Sequence, residues 1–439
     1  MTNKKYTYDE VFEASKTYFN GDELAAKVFV DKYALQNKSG EYLELTPTDM
    51  HWRLAKEFAR IEQKYPNPMS EQEIFDLLDQ FKYVIPQGSP MFGIGNDHFV
   101  QSLGNCFVVP SPLDSYGSIL QADQQLAQLM KRRSGVGIDI SNIRPKGLAT
   151  NNAAKTTDGI GIFMERYSNT TREVAQNSRR GALMISISNK HPEVERFIEI
   201  KQDKNKVTGA NVSVRILDDF MKAVKENKEY ELQWPVDSKS PSVRKTILAK
   251  ELWDKLIDAN WNSAEPGVMF WDTMIKNSPA DIYAEKYPNF KTQSSNPCSE
   301  LPLGNDSCRL LVINLASYVI NPFTKNAFFD YDLYAKHAIM AQRLMDDLVD
   351  LEIEKINKII SKIESDPEPD SVKFVELDLW KTFLQSAIQG RRTGTGITAL
   401  GDTMAFLGIK YGSKESIELT EKIYQTLEVN VYKSTCIMA

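Results

Sequence analysis

The sequence predicts an α/β protein that begins with a helical domain, and three features of its 439 residues carry that prediction. Up to about residue 85 the chain shows only helix caps and helical spacing. From Cys106 onward, short apolar runs alternate with helix-spaced segments, the pattern of a sheet covered by helices. Past Asn314 the chain returns to long helix-spaced stretches.

In chain order, Thr46 caps a helix through M-H-W-R-L-A-K-E-F-A-R-I-E, where Met50, Leu54, Phe58 and Ile61 recur at helical spacing. Ser70 and Glu73 form a capping box ahead of I-F-D-L-L-D-Q-F. The Pro- and Gly-rich run from Val84 to Asn96 reads as a boundary loop. It divides a helical domain, residues 1–95, from a second domain, residues 96–439. Strands are expected at 106–109, 135–140, 182–188 and 211–216. Helices are expected at 118–131 and 159–176, from Pro192 through Ile200, and after 216 to about Asn227. Three more are expected at about 331–360, 374–389 and 414–434. The charged stretch E-S-D-P-E-P-D-S, 364–371, reads as a solvated connection.

Composition narrows the class. With 42% hydrophobic and 26% charged residues, the chain is ordinary for a soluble globular protein. Its net charge of −6 argues against a nucleic-acid partner, which wants a basic face, but leaves room for a pocket holding one nucleotide. No apolar run reaches membrane-spanning length, and M-T-N-K-K-Y-T-Y-D-E lacks the core of a signal peptide. Four scattered cysteines, Cys106, Cys298, Cys308 and Cys436, do not make a secreted disulfide framework. No C-x₂-C or H-x₃-H pair suggests a metal site. A reducing, cytoplasmic location is the expectation.

The segment richest in chemistry is N-P-C-S-E, residues 296–300, followed by a second cysteine at Cys308. A thiol, a carboxylate and an amide lie within five residues. Pro297 blocks helix and central strand, so the trio belongs on a tight loop, with a strand-like run from Leu310 to Leu315 beyond it. Such a cysteine is a plausible radical or nucleophilic centre. Taken alone, the same residues also fit a buried structural cysteine beside a solvated glutamate.

The wider sequence resembles the large subunit of ribonucleotide reductases, with wording nearest the class II, adenosylcobalamin-dependent branch. The resemblance runs from about residue 7 to 439. It is carried by Q-S-L-G-N-C-F-V (101–108), S-G-V-G-I-D-I-S-N-I-R-P-K-G (134–147), T-T-R-E-V-A-Q-N-S-R-R-G-A-L-M (170–184) and R-R-T-G-T-G-I-T-A-L-G-D (391–402), as well as the Cys298 loop. It implies a helical domain followed by most of a ten-stranded α/β barrel, with the Cys298 loop as a central finger. It also implies that the later barrel strands lie outside this chain.

By that resemblance Cys298 matches the radical cysteine, Glu300 the base for the substrate 3′-hydroxyl, and Asn296 the amide that holds carboxylate and substrate. Cys106 and Cys308 match the redox pair. Ser89, Asn105, Gly135 and Gly137 match substrate-side positions. Asp114, Ser115, Arg144, Lys146, Gln202 and Lys204 match the site and loop that read a deoxynucleoside triphosphate effector. The implied reaction is reduction of ribonucleoside diphosphates, with adenosylcobalamin as cofactor and a thioredoxin-like or glutaredoxin-like reductant. A homodimer is the implied assembly. Two alternatives are a class I large subunit served by a separate radical-bearing subunit, and a non-catalytic half that works only beside a second polypeptide. Because no P-T-G-T phosphate loop or tail cysteine pair is found, the further expectation is that the chain alone is inactive and needs a complementary C-terminal polypeptide.

Overall fold

The structure, a computed structural model, describes residues 4–174 and 181–439. The chain divides into two compact units. One comprises Met1–Asn105, Cys308–Ile359 and Arg391–Ala439; the other comprises Cys106–Ser307 and Ile360–Gly390.

The first unit is mainly helical. The expected helix spans Pro47–Glu62, with Thr46 and Asp49 forming its capping box. Met50, Leu54, Phe58 and Ile61 are all fully buried, as their spacing requires. Ser70 and Glu73 cap the helix Glu71–Leu78. The same core takes in Leu344, Met345 and Leu348 from the long helix Tyr331–Ser365. Beside the helices lies a three-stranded sheet. Its strand Leu310–Asn314 runs antiparallel to Val84–Pro86 and parallel to Gly394–Thr398.

The region from Val84 to Asn96 therefore corrects the loop expectation. It holds the strand Val84–Pro86 and a short helix, Gly88–Gly93. Proline is tolerated in both places. Pro86 ends a strand on the sheet's outer edge, and Pro90 sits in a helix's first turn, where the missing N–H has no intrahelical partner to lose.

The second unit is built on a sheet whose strands run in the order Cys106–Val108, Gly135–Asp139, Leu183–Ser188, Asn211–Ile216 and Gly267–Phe270. All five pair in parallel. Every residue of Gly135–Asp139 and Leu183–Ser188 is buried, as a parallel sheet covered on both faces demands. Helices Tyr116–Met130, Ile160–Glu173, Val194–Glu199 and Asp218–Glu226 separate successive strands. The final residues of the helix expected at 159–176 lie outside the described residues. The α/β fold with a helical N-terminal domain is thus present, its sheet forming a half-barrel. Sequence reading passed over the hairpin Glu229–Trp234/Val243–Leu248 and the helix Ala249–Ser263 that follows it. Among the described residues no helix is long and apolar enough to cross a membrane.

Candidate active site on the finger loop

The Asn296–Leu301 loop closes a short hairpin in which Ser294–Ser295 pairs antiparallel with Pro302–Leu303. The hairpin holds a tight turn in place. Asn296 N donates to Leu301 O at 3.1 Å, and Ser299 N donates to Asn296 O at 3.0 Å. Ser299 adopts a left-handed backbone, φ 66°. The Asn296 side chain is fully buried and works in both directions. Its Nδ2 donates to Glu300 Oε1 at 2.6 Å, and its Oδ1 accepts from Leu301 N at 3.2 Å. Cys298 and Glu300 themselves are exposed. A buried amide thus orients an exposed carboxylate two residues from an exposed thiol.

Gly135 and Gly137 explain how the loop can sit over the sheet. A Cβ on Gly137 would lie 1.8 Å from Ser295 O, and one on Gly135 would lie 2.9 Å from Pro297 Cγ. Only a residue without a side chain permits that approach. Asn211, which opens its strand, donates from Nδ2 to Pro297 O at 3.3 Å.

Cys106 opens its strand, and Cys308 ends the two-residue strand Ser307–Cys308. Both are buried and both are thiols. Ser89 and Asn105 are buried and joined, Ser89 N donating to Asn105 Oδ1 at 2.8 Å. Asn105 Nδ2 is a buried donor with no protein partner among the described residues, the kind of group that a bound ligand satisfies.

The residues matched by resemblance to an effector site separate into two groups. Asp114, Ser115 and Arg144 line a cavity of about 330 Å³, together with Tyr116, Ile119 and Phe163. Arg144 grips Asp114 twice, through its backbone N to Oδ1 at 3.0 Å and through Nε to Oδ2 at 2.6 Å. Ser115 caps the helix Tyr116–Met130 by accepting from Ser118 N. Lys146, Gln202 and Lys204 are not in the cavity wall. Lys146 N donates to Glu193 Oε2 at 3.0 Å, Gln202 Nε2 to Ser263 Oγ at 3.1 Å, and Lys204 is exposed.

Comparison with known proteins matches residues 19–97 to the ribonucleotide reductase all-alpha domain and residues 104–439 to the ribonucleotide reductase barrel domain. The chain belongs to the ribonucleotide reductase family. A Thermoplasma acidophilum protein named vitamin B12-dependent ribonucleoside-diphosphate reductase is 27% identical over 374 residues, covering 84% of this chain and 43% of that one. A Mycobacterium tuberculosis protein of the same name is 27% identical over 409 residues, covering 92% and 53%. The Variola virus ribonucleoside-diphosphate reductase large subunit is 24% identical over 393 residues, covering 84% and 47%. The chain spans about half the length of these curated relatives.

In this chain of the ribonucleotide reductase family, sequence reading missed several groups beneath the loop. Asn211 lay in plain view as the polar first residue of N-V-S-V-R-I. Ser186 Oγ and Ser294 Oγ, 3.1 Å apart, join the sheet to the root of the hairpin. The signal was the row of serines in I-S-I-S and Q-S-S-N, unusually polar for strands buried this deeply, where hydroxyls such as those of Ser186 and Ser294 need a partner.

Proposed function

We propose that this chain carries the reaction centre for reducing ribonucleoside diphosphates to 2′-deoxyribonucleoside diphosphates. The observation that carries the reading is the Asn296–Glu300 hydrogen bond across the loop that exposes Cys298. Cys298, as a thiyl radical, takes the 3′-hydrogen atom of the ribose. Glu300 accepts the 3′-hydroxyl proton, and Asn296 fixes the carboxylate that does so. The 2′-hydroxyl then leaves as water. Cys106 and Cys308 supply two electrons and two protons and become a disulfide, Cys298 returns the hydrogen atom to C3′ and Glu300 returns the proton to the 3′-oxygen, so the reaction balances. Ser89 and Asn105 bind on the substrate side.

The names of the Thermoplasma and Mycobacterium relatives support adenosylcobalamin as the cofactor. The exposed Cys298 thiol fits a radical source that must reach it from outside the loop. When bound, the cofactor supplies the oxidising equivalent that turns that thiol into a radical. The Variola relative, named a large subunit, supports a second reading in which a separate radical-bearing subunit does this.

The Asp114–Arg144 cavity takes a deoxynucleoside triphosphate, with Asp114 on the ribose and Arg144 on the phosphates. Lys146, Gln202 and Lys204 act in the loops that relay it. Exposed Leu113, Tyr116, Leu120 and Ile162 near the cavity suit a homodimer contact. A thioredoxin-like or glutaredoxin-like protein re-reduces the cysteine pair.

The test is reduction of cytidine diphosphate with dithiothreitol and adenosylcobalamin, by the chain alone and with a polypeptide carrying the relatives' remaining half. Deoxycytidine diphosphate should form, and Cys298→Ser should abolish it. Equal product from the Cys298→Ser variant would refute the reading.

A further inference from the structure

Glu352 lies within M-D-D-L-V-D-L-E-I-E-K-I on the long helix Tyr331–Ser365 and is completely buried. A carboxylate there must be partnered or neutralised. It accepts from Ser102 Oγ at 2.7 Å and from Leu103 N at 2.6 Å. Ser102 Oγ in turn accepts from Gly104 N at 2.9 Å. Burial pushes the Glu352 carboxyl up. The Arg309 guanidinium opposes this most, followed by the Ser102 hydroxyl and the Leu103 and Gly104 amides.

The partners' places in the chain give this cluster its meaning. Ser102–Gly104 runs directly into Asn105 and Cys106, and Arg309 directly follows Cys308. Residues 101–104 are buried and belong to no helix or strand, so side-chain anchors must set their course. One anchor is Ser89 N on Asn105 Oδ1. Another is Glu352.

We infer that Glu352 is a positioning residue for the electron-supplying pair, one carboxylate fixing the course of the chain that enters Cys106. The inference rests on the reading of those cysteines as a redox pair. Disulfide formation needs Cα atoms within roughly 4.4–6.8 Å and aligned Cβ vectors. Loosening the chain that leads into Cys106 therefore lowers the effective concentration of one thiol at the other. It need not unfold the protein.

The full chain would be equilibrated with reduced and oxidised glutathione, and the Cys106–Cys308 disulfide quantified by peptide mass spectrometry. In this exchange two protein thiols become a disulfide as one glutathione disulfide becomes two glutathione thiols. Glu352→Gln keeps the shape but loses the charge that faces Arg309. It should lower the equilibrium constant for the protein disulfide about tenfold, the scale of one charge-assisted hydrogen bond. Ser102→Ala should shift it the same way by less. An unchanged constant in Glu352→Gln, measured where circular dichroism shows the variant folded, overturns the inference. If that variant does not fold, an unchanged constant in Ser102→Ala overturns it. A wild-type chain that forms no Cys106–Cys308 disulfide at any glutathione ratio overturns the redox-pair reading itself, and the inference with it.

Discussion

The two units put their polar groups to different uses. The helical unit buries charge. Glu62 is fully buried and gripped by Arg343 through Nη2 at 2.6 Å and Nε at 3.0 Å, while Arg53 holds buried Glu44 at 2.6 Å. Fully buried Asp347 adds a carboxyl beside Glu62. The sheet-based unit also pairs a buried charge, Asp139 with Arg215 at 3.1 Å, but it exposes Cys298 and Glu300 and buries the amide that holds the carboxylate. Buried charge fixes where helices meet, because any other arrangement strands an ion without a partner. A reacting group needs the reverse: access, with rigidity supplied from below.

The sharpest way to break this contrast is to attack the support beneath the loop. Gly137→Ala would put a methyl group 1.8 Å from the Ser295 carbonyl oxygen. Neither backbone can yield cheaply, so a loss of about 3 kcal/mol or more is expected by urea denaturation. Gly135→Ala meets Pro297 Cγ at 2.9 Å and Ala182 Cβ at 3.1 Å and should cost less. Equal, small costs at both positions would mean the loop is not seated on the sheet.

The buried-charge side of the contrast is tested by pH. Burial and then the charge of Glu62 push the Asp347 carboxyl up to about 10. The unfolded chain releases that proton above about pH 4, and the folded chain keeps it to about pH 10. Between those values the folded state binds the extra proton, so raising the pH destabilises it. The slope is at most about 1.4 kcal/mol per pH unit. Asp347→Asn should flatten the dependence between about pH 6 and 9, because the amide stays neutral throughout. An unchanged slope would show that Asp347 is ionised in the folded state.

The cavity lies between these extremes, since its charges are paired yet half accessible. On the proposed reading, a phosphate entering at Asp114 and Arg144 competes with a carboxylate already in place. Arg144→Ala should weaken dTTP binding about 10- to 100-fold by calorimetry, the scale of one or two charge-assisted hydrogen bonds. Unchanged affinity would remove Arg144 from the phosphate site.

Legibility in the sequence followed the distance over which each feature is built. The helix at Pro47–Glu62 and the strand at Asn211–Ile216 declare themselves through caps and period. The loop declares itself because Asn296, Cys298 and Glu300 lie within five residues of one another. The Arg343–Glu62 pair joins residues 281 positions apart, and no local pattern announces it. The hairpin strand Val243–Leu248 stayed hidden for a different reason. It buries almost nothing, so the alternation that marks a half-buried strand is absent from it. Proline and glycine misled at Val84–Asn96 because their positions, a strand end and a helix's first turn, are among the few that structured elements allow.

The smallest expected effect sets one carboxylate against another. Glu300→Gln and Glu62→Gln each remove a single negative charge from a glutamate that accepts a strong hydrogen bond. At Glu62 the change leaves the Arg343 guanidinium buried without its counter-charge and weakens the bond that Met69 N donates, so a loss of about 3–5 kcal/mol is expected. At Glu300 the side chain is exposed, and water replaces what the charge supplied. The glutamine carbonyl can still accept from Asn296 Nδ2. Stability should therefore move by no more than about 0.5 kcal/mol in urea melts, even as turnover is lost with the proton acceptor. A loss above about 2 kcal/mol at Glu300 would mean that its bond to Asn296 holds the loop together, as Glu62 holds the helices, and would take away the ground for reading it as a group kept ready to react.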